Sequence, residues 1–174
     1  MQRFSNNLHT MKIQTQTTTH LIKLAELIEG IDVAMLTTSN ASGDLESRPM
    51  APQEMDSEGA IWFLTSSHSE KTKHLGHVNL SLIHAGRGTY ISLTGQGQVS
   101  NDRAHIHRLW SPFAKPWFPE GPDSPEVVLF KFIPTKAEYW DAPHSRTVRL
   151  FAFAASVIAG QPIGMGEHAT LEPL

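Results

Sequence analysis

Leu45-Glu46-Ser47-Arg48-Pro49-Met50-Ala51-Pro52-Gln53-Glu54-Met55, then Asp56-Ser57-Glu58-Gly59, then Ala60-Ile61-Trp62-Phe63-Leu64-Thr65-Ser66: this stretch decides the fold. Two runs of strand-forming length flank a turn of small and polar residues, which predicts an antiparallel pair. Just upstream, Asp32 to Ser39 sets Val33, Met35 and Thr37 on one face and Ala34, Leu36 and Thr38 on the other. The turn residues Asn40-Ala41-Ser42-Gly43-Asp44 make a hairpin into Leu45–Met55. Three consecutive antiparallel strands form a meander.

Working outward, Leu21, Leu24, Ala25 and Ile28 recur at helical spacing and Gly30 follows as a C-terminal stop. Residues 1–19 are polar and aperiodic, so they read as a mobile arm, with Met11 as an alternative start. Downstream, Leu80–Ala85 and Thr89–Ser100 read as strands joined at Gly86-Arg87-Gly88, with a bulge at Gly95-Gln96-Gly97. Asn101 or Asp102 caps a helix through Trp110. Five prolines between Ser111 and Pro125 stiffen a loop carrying Phe113, Trp117 and Phe118, which reads as a packed lid or an interface. Val127–Ile133 is a strongly apolar strand continuing past Pro134 to Tyr139-Trp140-Asp141, and Leu150–Ala159 is a last helix. The sum is a mainly β fold with peripheral α: one domain over residues 20–174, built as a small closed barrel.

Composition narrows the function classes. The chain has 174 residues, a net charge of -3 and no cysteine. It therefore lacks the concentrated basic face that nucleic acids require, and it holds no disulfide or thiolate chemistry. No apolar run approaches the length needed to span a bilayer, so the expected location is cytoplasmic with no membrane partner.

The chemistry concentrates in the opening stretch. Arg48 precedes a proline and is thereby held extended, while Pro49 removes a ladder donor and belongs at an edge or a bulge. Ser67 with Glu70 has capping-box spacing, and Ser69 caps equally well a helix carrying Lys71. A guanidinium, an ammonium and the free N–H groups of a helix start make an anion site suited to phosphate. Trp62 and Phe63 alternate across their strand, one toward the core, and Leu64–Ser66 offer backbone groups to a flat heteroaromatic ring such as a flavin. Other chemistries fit less well. His74 and His77 share a helix face but lack a third ligand at metal spacing, and no G-x-S-x-G elbow is present. No metal is expected.

These residues, in this order, resemble the FMN-binding split β-barrels of the pyridoxamine 5′-phosphate oxidase-like superfamily, most closely the general stress protein branch. The likeness is carried by Arg48-Pro49-Met50, Trp62-Phe63 through Thr65, Ser69-x-Lys71 and Ser92-Leu93-Thr94-Gly95. It continues through Trp117-Phe118-Pro119-x-Gly121-Pro122-Asp123, Glu138-Tyr139-Trp140-Asp141 and Gly166-Glu167-His168. The resemblance implies a six-stranded antiparallel split barrel that forms a homodimer with flavin at the subunit interface. It implies that Arg48, Lys71 and Ser69 hold the phosphate of FMN, or of the larger FAD, and that Pro49, Met50, Phe63, Leu64, Thr65 and Ser66 line the ring. It further implies that Trp140, with Trp110 or Trp117 as further candidates, approaches from the partner subunit. The chain departs from the oxidases at Ala142-Pro143-His144-Ser145-Arg146, where they carry a substrate-gripping arginine and histidine segment. The expectation is thus a flavin-binding stress protein, a weak flavin-dependent oxidoreductase or a non-catalytic flavin-sequestering protein. Haem or a deazaflavin in the same cleft is the alternative, and no catalytic residue is assigned.

Overall fold

The computed structural model describes residues 10–69, 72, 75–141 and 167–174. Nine strands form one mixed sheet: β1 (Lys12–Ile13), β2 (Ala34–Ser39), β3 (Leu45–Met50), β4 (Pro52–Met55), β5 (Ile61–Ser66), β6 (Val78–His84), β7 (Thr89–Ser100), β8 (Val127–Asp141) and β9 (Glu167–Leu171). Their order is β1-β4-β5-β8-β7-β6-β2-β3, with β9 pairing the far part of β8. Among the described residues two α-helices decorate it, α1 (Thr19–Ile28) and α2 (Arg103–Leu109).

The expected single strand Leu45–Met55 is broken at Ala51, and the break makes the barrel. β3 pairs β2 at one end of the sheet, whereas β4 pairs β5 near the other. Only Ala51 separates β3 from β4 along the chain, so the sheet must curl until its two ends meet there. Prolines on either side favour the break, since neither Pro49 nor Pro52 can donate to a ladder. The expected three-strand meander is therefore two hairpins that diverge at Ala51. The strand count also exceeds six, because β1 and β9 are short additions and this strand is split in two.

The N-terminal arm is corrected from Met11 onward. Met11 is buried in the core, and β1 runs parallel to β4 with Gln14 N donating to Met55 O at 2.9 Å. Helix α1 starts at the Thr18 cap, whose Oγ1 accepts from Leu21 N, and it buries Leu21, Leu24, Leu27 and Ile28. At the Asp56–Gly59 turn, Asp56 Oδ1 accepts from Glu58 N and Ala60 N, and Gly59 takes a positive φ of 84°.

The main core fills the barrel with Leu36, Phe63, Leu80, Leu82, Leu93, Phe130 and Phe132, all fully buried. Each such side chain contributes about 1.5–3 kcal/mol by leaving water. A second cluster, Trp62, Ile106, Leu109, Val127 and Leu129, sits where α2 covers the outer face. Trp62 and Phe63 are thus both buried, on opposite faces. The bulge is present: Thr94 pairs Lys136 and Gly95 pairs Pro134, leaving Thr135 as the extra residue. A Cβ on Gly95 would lie 2.1 Å from Ile133 O, so only glycine fits. The expected helix over 150–159 lies outside the described residues, and much of the helix after Ser69 does too.

Candidate functional site

The ladder between β4 and β5 ends at the pair Pro52–Phe63. Continued in register, it would set Met50 opposite Thr65, but β3 has turned away to pair with β2. The outer edge of β3 and the last residues of β5 therefore diverge from Ala51, which is itself exposed. This split brings Arg48, Pro49 and Met50 to one side and Leu64, Thr65 and Ser66 to the other.

Along β3, Met50 is buried in the core and Arg48 shares its face, with a side chain 23% exposed. Arg48 Nη2 donates to Glu46 Oε2 at 2.9 Å and to Thr38 Oγ1 at 3.5 Å. Glu46 is half-exposed and also accepts from Asn40 Nδ2, so it offers the guanidinium an exposed partner of small net worth. Pro49 is exposed on the edge strand, as its missing donor requires. On β5, Phe63 packs on Phe130 with ring centroids 6.2 Å apart, so its ring belongs to the core. Thr65 shares that inward face and is only 2% exposed, yet its Oγ1 has no hydrogen-bond partner among the described residues. Leu64 faces outward into the second cluster.

The chain then turns. Ser66 Oγ accepts from His68 N, Ser69 N donates to Ser66 O at 3.1 Å, and Thr72 N donates to Ser69 O at 2.9 Å. These contacts carry Ser69 to the end of β5. Lys71 lies outside the described residues.

Trp140 is remote from the β5 side of the split. Phe130 pairs Phe63, and Trp140 stands ten residues further along β8, roughly 30 Å at strand rise. There it stacks on His168, with centroids 4.9 Å apart and planes at 6°. The registers Ile83–Tyr90, Tyr90–Trp140 and Trp140–His168 align four exposed side chains in one row across β6, β7, β8 and β9. Next to Trp140, Tyr139 points inward. Burial and the hydrogen bond it donates to Glu167 push its phenol up to about 12, so it remains a donor at neutral pH. Of the other tryptophans considered, Trp110 packs on Phe118 of its own chain, and Trp117 is exposed.

Sequence reasoning missed a second polar centre on the opposite face. Glu54 of β4 has a side chain only 3% exposed. Arg108 of α2 grips it with two hydrogen bonds, at 2.7 and 2.9 Å. Gln14 Nε2 adds a third at 2.9 Å, and His105 Nε2 lies 3.4 Å away. Burial pushes the Glu54 carboxyl up, but the Arg108 and Gln14 hydrogen bonds and the Arg108 charge outweigh it, holding it below its ordinary value. Trp62 Nε1 donates to Asp56 Oδ2 at 2.7 Å beside this group. The partners lie 40 to 54 residues apart, so no local motif announces them.

With the geometry in place, the relatives can be set beside it. Residues 19–163 match the family model described as pyridoxamine 5′-phosphate oxidase like. The chain belongs to the pyridoxamine 5′-phosphate oxidase-like family. Within reach of that family, a general stress protein 26 of Jannaschia sp. CCS1 superposes with a TM-score of 0.69 at 28% identity, covering 84% of this chain and 94% of that one. A general stress FMN/FAD binding protein of Xanthomonas citri gives a TM-score of 0.62 at 25% identity, covering 74% and 93%. Protein bli-3 of Neurospora crassa is 28% identical over 140 residues, or 74% of this chain and 67% of its own length. The split-barrel architecture expected from the sequence is thus that of the oxidase-like family. Among the described residues, no helix is long and apolar enough to cross a membrane.

Proposed function

We propose that this protein binds a flavin, FMN or the larger FAD, in the split between β3 and β5, and that it works as a flavin-dependent oxidoreductase of the general stress type. The observation that carries the reading is the Thr65 hydroxyl, buried at the opening of the barrel without a partner among the described residues. A buried polar atom of this kind calls for a partner, and a ligand entering the split would supply one. Arg48, on the other side of the split, supplies the planar cation for a phosphate, with Ser69 and Lys71 as its companions by sequence. The flavin would bring the redox chemistry, and the chain would bind the ring, orient it and set its electrostatics. The Xanthomonas citri relative, described as an FMN/FAD binding protein, supports the same reading.

A homodimer completes the proposal. The row Ile83, Tyr90, Trp140 and His168 is largely apolar, aromatic and exposed, and its Trp140 stands far along β8 from the β5 side of its own chain's split. A second copy would present that row to the first copy's site. Titration of the purified protein with FMN and riboflavin, beside sedimentation analysis, tests both parts. Arg48→Ala, alone and with Lys71→Ala, is expected to weaken FMN by about a hundredfold while changing riboflavin little, since only FMN carries the phosphate. Equal losses for the two ligands would remove the phosphate role, absence of saturable FMN binding would remove the flavin, and a monomer at working concentration would remove the dimer. NAD(P)H turnover by the flavin-loaded protein separates an oxidoreductase from a protein that only holds flavin.

A further inference from the structure

We infer that Glu46 widens the range of phosphates the site accepts. Its carboxylate offsets part of the Arg48 charge, and so favours a singly charged phosphate diester relative to the doubly charged monoester of FMN. The inference rests on the flavin reading above. The β2–β3 ladder runs without a register shift and pairs Leu36 with Arg48 and Thr38 with Glu46. Directly opposed residues of an antiparallel pair share a face, and Leu36 and Thr38 are both buried. Arg48 and Glu46 therefore leave β3 on the side that faces the core. An acid thus stands beside the guanidinium assigned to the phosphate, on the same face of the same strand.

The contact fixes how close a ligand comes to that acid. Arg48 Nη2 donates to Glu46 Oε2 at 2.9 Å, with Thr38 Oγ1 at the longer 3.5 Å. A guanidinium holds a phosphate with two parallel bonds through Nη1 and Nη2 or through Nε and Nη2, and Nη2 belongs to both forks. Among the described residues Nε and Nη1 have no acceptor. A phosphate gripped by either fork therefore shares Nη2 with Glu46, and two acceptors on one nitrogen stand roughly 5 Å apart. The acid is tethered there, because Glu46 Oε1 also accepts from Asn40 Nδ2 at 3.1 Å. Asn40 is itself fixed, its Oδ1 accepting from Ser42 N and Asp44 N. Repulsion across that gap scales with the charge on the phosphate, so a monoester feels it twice as strongly as a diester. Arg48 alone favours the monoester by the same rule with the opposite sign, and Glu46 offsets part of that preference.

FMN, FMN methylated on its phosphate, and riboflavin, titrated by fluorescence quenching at about pH 8 where the FMN phosphate is doubly charged, test the assignment. In Glu46→Gln, FMN should tighten by about two- to threefold and the methyl ester by about 1.5-fold, with riboflavin unchanged. Glu46→Lys repeats the change of charge, so FMN should gain roughly four- to ninefold there and the ester roughly two- to threefold. Equal tightening of FMN and its ester would overturn the assignment, since the effect would then not follow phosphate charge. Riboflavin tightening along with them would overturn it too, by showing that Glu46 acts through the fold. Wild-type protein that binds no FMN at all removes the flavin reading along with this one, whereas FMN bound without any gain in either variant removes this one alone.

Discussion

Arg108 and Arg48 show two uses of the same side chain in one small barrel. Arg108 spends both arms of its fork on the buried Glu54 carboxylate, which Gln14 and His105 also approach. Arg48 donates to the half-exposed Glu46, and the buried hydroxyl across the split has no partner among the described residues. The first centre is closed on itself and ties β4, α2 and the segment just after β1 together. The second is held open on strands whose edges diverge. The contrast teaches that polarity and burial alone do not mark a binding site: the closed centre holds the more buried carboxylate and the more charge, yet that acceptor is already taken.

That contrast can be broken most forcibly at Glu54. Glu54→Ala strands Arg108, Gln14 and His105, and it should cost about 2–4 kcal/mol, Arg108 being exposed enough to recover part of its hydration. In thermal unfolding this corresponds to a fall of roughly 5–10 °C for a chain of this size. FMN affinity of the folded variant should stay that of the wild type; a loss specific to FMN would mean that the two centres are not separate. Acid should expose the same group more gently. The Glu54 carboxyl lies below its ordinary value of 4.5, so its stabilisation is complete above that value and is lost as pH falls through the folded value. Wild-type stability should therefore drop more steeply below pH 4.5 than that of Glu54→Gln, as denaturant unfolding at a series of pH values would register. The smallest effect is expected at the open centre. Glu46→Gln removes a carboxylate that competes for Arg48, and FMN should bind about two- to threefold tighter with stability within about 0.5 kcal/mol of wild type. Weaker FMN binding in that variant would place Arg48 elsewhere than on the phosphate.

The open centre was the more legible of the two in the sequence, for a physical reason. Arg48-Pro49-Met50 and Phe63–Ser66 are local runs, and strand alternation with a proline at an edge reports them without knowledge of what they face. The bulge at Gly95 was readable because glycine inside a strand has few other uses. The break at Ala51 was not, because Leu45–Met55 alternates well enough to pass for one strand, and only the pairing partners reveal that it serves two ends of the sheet. β1 escaped for a similar reason: a pair of residues is too short for a period. Glu54 looked like any polar residue on a half-solvated strand until α2 brought Arg108 from 54 positions away.

The extra residue at Thr135 has a larger consequence than a local kink. Before it, β8 turns its even-numbered residues inward, Phe130, Phe132 and Pro134; after it, the odd-numbered Ala137 and Tyr139 are buried instead. An unbroken strand would have sealed Trp140 inside with the phenylalanines and left the Tyr139 phenol in water. One unpaired threonine therefore acts as a switch of address for every side chain beyond it, and it delivers an indole, rather than a phenol, to the outer surface of the barrel.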